Sequence, residues 1–247
     1  MRLIPVIDLK AGLVVHAVKG ERENYRPLQS ILCDSPEPGE VARSFRDKLG
    51  LTEIYIADLD AIQGTGNHEQ IISSLVSQEE MQVLLDAGAG DPQAVHSLLE
   101  LGVKKVIIGA ETLSNLDNLR VLHSGIPPSQ LIFSLDMQSG QILSRCSDLA
   151  ELSPLKVLEL LQFAGWHEVI LLDLARVGTG NGIDHTLVSE ALRLFPEMEL
   201  IVGGGISQTS ELDWLQAVGV SGVLVASALH TGIISKQQVS LLRRTDE

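Results

Sequence analysis

The sequence repeats itself, because short patterns in its first half return in the same order in its second half. An apolar run that ends in Asp8 and is followed by Gly12 corresponds to a run that ends in Asp136 and is followed by Gly140. The other matched stretches are 53–59 with 168–174, 64–67 with 178–181, 84–88 with 201–205, and 102–108 with 219–225. Chance rarely gives several matches in one order, so the sequence predicts two similar halves, about 1–125 and 126–247.

Eight short apolar runs alternate with segments of helical periodicity. The runs are 3–7, 53–57, 82–86, 104–109, 131–135, 168–172, 199–202 and 222–226, and helical patterns include 40–45, 92–101, 154–165 and 210–218. This alternation is typical of parallel strands joined by right-handed helical crossovers. In a chain of 247 residues it predicts an α/β protein whose single domain, 1–247, is one (β/α)8 (TIM) barrel made of two half-barrel repeats.

Composition excludes several classes of protein. Aromatic residues make up only 3% of the chain, so the core must consist mainly of aliphatic side chains. The formal net charge is −14 and no basic stripe is visible, which argues against a nucleic-acid partner. Cys33 and Cys146 show no pairing or metal-ligand spacing, so reduced thiols in a cytoplasmic protein are expected. No signal peptide or run of membrane-spanning length is visible, and the histidines form no spaced metal cluster.

Asp8 and Asp136 are the candidate catalytic residues. They follow repeat-equivalent strands, and the carboxyl ends of barrel strands form the face that carries active sites. Two carboxyl groups across a cleft suit acid–base chemistry, in which one takes a proton and the other gives one. The alternative is that each aspartate only caps a loop through backbone N–H groups. Their equivalent positions in the two halves favour catalysis.

Glycines after the seventh and eighth strands indicate a phosphate site. The candidates are Gly203, Gly204 and Gly205, with Ala226 and Ser227 after the eighth strand. Glycine lets the backbone approach a ligand, and these two loops are the usual phosphate site of barrels. The alternative is a tight turn without a ligand.

The corresponding loops of the first half, after the third and fourth strands, would bind a second phosphate through Gly88 and Gly109. Asp86 and Asp91 flank it, and their charge would repel a phosphate, so this second site stays an open alternative.

Further candidate ligand groups lie in two loops. Arg176, Gly178 and Thr179, after the sixth strand, could bind substrate through a guanidinium and a hydroxyl group. A long insert, 20–39, carries Arg22, Tyr25 and Arg26, which either reach an anionic ligand or lie at a solvated loop tip. For His16 and His68, and for Asp58 and Asp173, structural roles are favoured over contacts with substrate.

These stretches together resemble the histidine-biosynthesis barrel family, which includes phosphoribosylformimino-5-aminoimidazole carboxamide ribotide (ProFAR) isomerase and the cyclase subunit of imidazole glycerol phosphate synthase. The isomerase is the more similar of the two. The resemblance is carried by 4–9, 58–60, 134–136, 178–179, 203–207 and 225–229. It implies an Amadori rearrangement of an aminoaldose to an aminoketose, on a substrate with a phosphate at each end. Asp8 would be the base that takes the C2 proton, and Asp136 the acid that assists ring opening, with no cofactor or metal.

The chain departs from the isomerase pattern on the face that contacts substrate. The loop after the third strand reads Asp86-Ala87-Gly88-Ala89-Gly90-Asp91 and lacks the family's arginine. Leu172 and Val177 replace a threonine and an aspartate, His16 replaces an arginine, and the loop around Ser144 lacks the usual tryptophan. A leucine in place of a hydroxyl leaves polar groups of a substrate unpaired. The pattern resembles a poorly characterised, isomerase-related group.

Three functions therefore remain open. The first is isomerisation of a phosphorylated aminosugar such as ProFAR. The second is an enzyme on the same scaffold with another phosphorylated substrate, in cofactor biosynthesis of the tetrahydromethanopterin type. The third is a non-catalytic phosphate-ligand binder, against which Asp8 and Asp136 argue. A phosphorylated small molecule is the expected partner, and the expected state is a monomer or small homo-oligomer.

Overall fold

A computed structural model describes residues 1–113, 115–122 and 125–244. The strands are β1 (Arg2–Lys10), β2 (Leu13–His16), β3 (Arg26–Pro27), β4 (Glu53–Asp58), β5 (Gln82–Asp86), β6 (Lys105–Gly109), β7 (Leu131–Gln138), β8 (Gln141–Ile142), β9 (Glu168–Asp173), β10 (Glu199–Gly203) and β11 (Gly222–Val225). The helices are α1 (Pro38–Ser44), α2 (Leu59–Gln63), α3 (Glu69–Ser77), α4 (Pro92–Leu99), α5 (Asn118–Val121), α6 (Ser147–Ala150), α7 (Pro154–Phe163), α8 (His185–Leu194), α9 (Thr209–Val218), α10 (Ser227–His230) and α11 (Lys236–Arg244). A π-helical stretch, Phe45–Leu49, continues α1, and 3-10 turns span Arg22–Asn24, Ala110–Thr112 and Pro128–Gln130.

Eight of these strands form a closed parallel barrel. They follow the order β1, β4, β5, β6, β7, β9, β10 and β11, and β11 pairs with β1 to close the ring. Each predicted apolar run forms one of these strands, so the predicted (β/α)8 barrel is confirmed. The half-barrel duplication stays a prediction from the repeat.

Apolar side chains fill the inside of the barrel. Each strand gives one to a single buried cluster, whose members include Ile4, Tyr55, Leu84, Ile107, Ile132, Ile170, Ile201 and Leu224. A larger cluster lies between the outer face of the barrel and the surrounding helices. It includes Trp166, which packs edge-on against Phe133 at a ring-centroid distance of 5.4 Å. The barrel interior is therefore a packed core and not a channel, and the mouth is the place on the barrel that is left for a ligand.

Strands β1 and β7 run beyond the barrel wall and turn into hairpins. β1 pairs in antiparallel fashion with β2, and β7 pairs likewise with β8. Both hairpins stand on the face where the parallel strands end, which raises a rim around the mouth.

No helix in the described ranges is long and apolar enough to cross a membrane. Cys33 and Cys146 are free thiols.

The opposite, amino-terminal end of the barrel is held by buried charge. Glu168, 6% exposed, pairs with both Arg2 and Lys105, so three strands are tied together. We expect Glu168→Gln to lower the free energy of unfolding by about 2 kcal/mol, since both cations lose a charged partner but stay partly exposed. Urea denaturation checks this, with Glu159→Gln in the exposed Lys156 pair as a control expected to change stability by less than about 0.5 kcal/mol. Equal effects of the two substitutions would contradict it.

Candidate active site

One cavity of about 440 Å³ occupies the carboxyl-terminal mouth of the barrel. Most of the predicted site residues line it: Asp8, Asp136, Gly178, Thr179, Gly204, Gly205, Ala226 and Ser227. They come from the ends of β1, β7, β9, β10 and β11, so the barrel topology alone brings them together. The cavity is the place where a small molecule could meet both candidate catalytic carboxyl groups.

Asp8 and Asp136 have different surroundings. The Asp8 carboxylate makes no hydrogen bond to any described residue, and burial raises its pKa to about 7, against the opposing charge of Arg22. Asp136 accepts a hydrogen bond of 2.7 Å from the Ser134 hydroxyl. Burial raises the Asp136 pKa to about 6, and the Ser134 hydrogen bond limits that rise. Two carboxyl groups that titrate near neutral pH are suited to take and give protons.

Two further carboxyl groups line the cavity. Asp86 ends β5 and is 4% exposed; burial, and then the charge of Asp136, raise its pKa to about 7. Glu111 lies in the 3-10 turn after β6 and pairs with Arg22 at 2.7 Å. From the sequence, Asp86 was expected only as a flank of a phosphate site, and Glu111 was not expected at the site. The mouth thus holds four carboxyl groups, and three of them, Asp86, Glu111 and Asp136, come from the adjacent strands β5, β6 and β7 or the turn that follows.

The long insert reaches the cavity through two side chains. Arg22 and Tyr25 line it, whereas Arg26 is exposed in the short strand β3. The insert is anchored at the rim, because the Lys10 ammonium donates to the Arg22 carbonyl oxygen at 2.6 Å. Burial, and then the charge of Asp8, raise the pKa of Tyr25 to about 12. Of the two alternatives left open for this loop, Arg22 and Tyr25 face the cavity, whereas Arg26 lies in the solvent.

Tyr55, in β4, was not predicted as a site residue. Its side chain is 5% exposed and lines the cavity, with the hydroxyl 3.5 Å from Asp86 Oδ2. Burial raises its pKa well above the usual value, and the charges of Asp86, Asp136 and Asp8 add to this. The sequence offered one sign of this role, since Tyr55 is an aromatic residue with a hydroxyl group within an otherwise apolar run.

The loops after β9, β10 and β11 form the opposite side of the mouth. Gly204 and Gly205 have φ values of +94° and +92°, and a Cβ atom on either would lie under 3 Å from backbone oxygens. Gly178 likewise lies against the Ala17 carbonyl oxygen. His16 Nε2 lies 2.7 Å from the Ser227 hydroxyl, so the histidine occupies the glycine-rich side. These loops place closely packed backbone, hydroxyl groups and one imidazole beside the cavity.

We expect Gly204→Ala to damage this loop. The substitution combines a left-handed backbone conformation with a Cβ atom 2.6 Å from the Asp173 carbonyl oxygen, and should lower the free energy of unfolding by about 2 kcal/mol. Gly140→Ala is the matched control, since φ there is +80° but nothing lies within 4 Å of the added atom. Its cost should stay near 1 kcal/mol in urea denaturation. A larger cost for the control would contradict the crowding argument.

Four predicted binding residues do not line this cavity. Gly88 packs on Ile62, with its Cβ position 3.1 Å from the Ile62 Cα atom. Gly109 and Gly203 are in strands, where a Cβ on Gly203 would meet Leu172 at 2.9 Å. The Arg176 guanidinium donates to the Gly182 carbonyl oxygen at 3.2 Å and lies 3.4 Å from Asp173. The contacts of Gly88, Gly203 and Arg176 hold the loops and the barrel wall together, whereas Gly109 lies beside the carboxyl groups of Asp86 and Asp136.

Loops are anchored by Asp58, Asp173 and His68, which is the structural role that the sequence favoured for these residues. Asp58 accepts hydrogen bonds from the backbone of Ala61 and His68 and from the His68 imidazole. Asp173 accepts from the backbone of Ser139 and Ala175. Across the described ranges, no group of three or more potential ligand side chains is arranged to hold a metal ion.

Comparison with known proteins gives a consistent result. Residues 2–235 match a family model described as "Histidine biosynthesis protein". An uncharacterized protein of Methanocaldococcus jannaschii is 30% identical over 97% of both chains. The 1-(5-phosphoribosyl)-5-((5-phosphoribosylamino)methylideneamino) imidazole-4-carboxamide isomerase of Thermus thermophilus is 30% identical over 97% of this chain and 99% of its own. The isomerase of the same name from M. jannaschii is 25% identical over 95% of both chains.

Proposed function

The chain belongs to the histidine biosynthesis protein family, and from this premise we propose that it is an isomerase of a phosphorylated aminosugar. The observation that carries the proposal is that Asp8 and Asp136 line one cavity, each with a pKa raised toward neutrality. Relatives named as isomerases of a phosphoribosyl compound match nearly the whole chain, which supports the same class of reaction.

The proposed reaction is an Amadori rearrangement. Asp136 gives its proton to the ring oxygen of the aminoaldose, the bond from that oxygen to C1 breaks, and an iminium ion forms at C1. Asp8 removes the C2 proton, and the electrons of the C2–H bond form an enaminol that tautomerises to the aminoketose. The family resemblance, and not the order of the two pKa values, assigns the base to Asp8. The reaction balances without an oxidant or reductant.

The glycine-rich loops after β9, β10 and β11 are proposed to hold a phosphate. Gly204, Gly205 and Ser227 would contact it, with Gly178 and Thr179 at the side. The Ser207 N–H and hydroxyl group both donate to Glu211, so Ser207 shapes the loop around Gly205. A phosphate there would be held against the overall negative charge of the chain by local hydrogen bonds.

A second candidate is the same type of enzyme with a substrate other than ProFAR. Leu172 and Val177 line the cavity at positions where the family has polar residues, so they offer no hydrogen bond to a sugar. M. jannaschii has a protein named as the isomerase, yet a different, uncharacterized protein of that organism is more similar to this chain. Two such proteins in one organism favour separate substrates.

Complementation of a histidine auxotroph that lacks the isomerase tests the proposal. Growth that requires both Asp8 and Asp136 would support isomerisation of ProFAR itself. Absence of growth, with protein shown to be folded by circular dichroism, would instead favour the second candidate. A role as a binder alone would be indicated if Asp8→Asn kept full function in the organism that makes this protein.

A further inference from the structure

The two sides of the cavity differ in charge. We call the loops with Gly204, Gly205 and Ser227 the glycine end, and Asp86, Glu111, Asp136 and Tyr55 the acid end. The acid end is formed where β4, β5, β6 and β7 finish, whereas the glycine end follows β9, β10 and β11. All the carboxyl groups that line the cavity are at the acid end, except Asp8 on β1. A ligand that spans the cavity therefore meets different chemistry at its two ends.

Two polar atoms at the acid end, the Tyr55 hydroxyl oxygen and Asp86 Oδ2, have no close partner among the described residues. Tyr55 is 5% exposed, and its hydroxyl has only the 3.5 Å contact with Asp86 Oδ2 among the described residues. A hydroxyl-to-oxygen hydrogen bond is normally 2.5–3.0 Å long, so this contact is too long for a full bond. Asp86 Oδ1 accepts from the Gly88 N–H at 3.1 Å, which leaves Oδ2 with only the long contact. Buried polar atoms that face a cavity without partners indicate that a ligand completes them.

A phosphate does not suit the acid end. Neither of the two glycines expected to hold it lines the cavity: Gly88 packs on Ile62, and a Cβ atom on Gly109 would lie 3.8 Å from carboxyl oxygens of both Asp86 and Asp136. Arg22 is the cation at this end, and it is already paired with Glu111. A phosphate beside Asp86 and Asp136 would meet like charge in a poorly solvated site, which weakens binding. The same carboxyl groups would accept hydrogen bonds from an ammonium or an amino group.

We propose that the cavity takes a compound with one phosphate, held at the glycine end, and a nitrogen group that donates hydrogen bonds, held at the acid end. This inference rests on the proposed function, since it names the substrate class of the same site. It excludes a substrate with a phosphate at both ends, such as the bis-phosphoribosyl compound in the names of the isomerase relatives. The amino group of an aminosugar or an amino-substituted ring fits the acid end.

Isothermal titration calorimetry with three matched sugars tests the proposal. The probes are glucose 6-phosphate, glucose 1,6-bisphosphate and glucosamine 6-phosphate, at pH 8 in a phosphate-free buffer. We expect the bisphosphate to bind about tenfold more weakly than glucose 6-phosphate, and glucosamine 6-phosphate to bind at least threefold more tightly. Tighter binding of the bisphosphate, or a lack of competition by inorganic phosphate for all three, would overturn the proposal.

Substitutions at the acid end sharpen the test. Asp86→Asn should remove most of the discrimination against the bisphosphate and most of the preference for glucosamine 6-phosphate. Asp148→Asn, which changes the same charge at an exposed position in α6, should leave both ratios unchanged. Equal shifts in the two variants would show that the overall charge, and not the acid end, sets the preference.

The outcomes separate this inference from the proposed function. Binding is measured without turnover, so an inactive protein with the expected preferences keeps the inference and loses the isomerase. Complementation by turnover of ProFAR, with tight binding of the bisphosphate, would keep the isomerase and overturn the inference.

Discussion

Asp8→Asn is expected to lower kcat by about 10²–10⁴-fold with little change in KM, because the substituted amide cannot take the C2 proton. Asp136→Asn should give a loss of similar size for the ring-opening step. The measurement is steady-state turnover of ProFAR, the substrate that growth of the complemented auxotroph would support. Neither variant should unfold more easily at pH 8, since each removes a carboxylate whose charge is poorly solvated.

Ser134→Ala is the matched control for these two variants. It leaves both carboxyl groups in place but removes the 2.7 Å hydrogen bond to Asp136, which holds the Asp136 pKa down. We expect kcat to fall less than tenfold and the loss of activity at alkaline pH, where Asp136 gives up its proton, to move to higher pH. A loss as large as that of Asp136→Asn would mean that structure, and not proton transfer, explains the effect.

Stability should depend on pH through the buried carboxyl groups. The pKa of Asp86 is raised to about 7, so between about pH 4 and pH 7 the folded protein keeps a proton that the unfolded chain has lost. The unfolded state binds fewer protons there, and this carboxyl group makes the free energy of unfolding fall as pH rises. The stabilisation that the Asp86 carboxyl group gives the folded protein is complete below about pH 4 and is lost as pH rises past about 7.

Asp86→Asn removes this dependence. The free energy of unfolding of the variant minus that of the unsubstituted protein should rise by on the order of 2–3 kcal/mol from pH 5 to pH 8. Urea denaturation at the two pH values measures the difference, and the comparison cancels effects of the substitution that do not depend on pH. The exposed Asp148→Asn variant should show no such gain. A constant difference at both pH values would contradict the raised pKa.

The fold could be predicted because each barrel strand is buried on both faces and reads as a continuous apolar run. The alternation of strands and helices then left few other topologies. The hairpin continuations of β1 and β7 were less visible, since their partner strands β2 and β8 are only 4 and 2 residues long and are held by antiparallel pairing. Such short strands give too brief an apolar pattern to be told from a loop.

The candidate site could be predicted only in part. Asp8 and Asp136 stood out because the repeat placed them at equivalent strand ends. Tyr55 did not, because its direction depends on the register of neighbouring strands in the closed barrel. Glu111 gains its place through Arg22, which is distant in sequence. Arg176 was expected at the ligand but donates to a backbone oxygen nearby, a competition that no sequence pattern reveals.

Both tyrosines of the chain lie at the mouth, and this gives the molecule a built-in optical reporter. Their phenol groups resist ionisation, because burial raises the pKa of Tyr25 to about 12 and the pKa of Tyr55 well above its usual value. Phenolate absorbance in an alkaline titration will therefore signal the opening of the mouth to water. In a Trp214→Phe background, the fluorescence of Trp166, which is buried against Phe133 between the barrel and its helices, will follow the integrity of the scaffold independently.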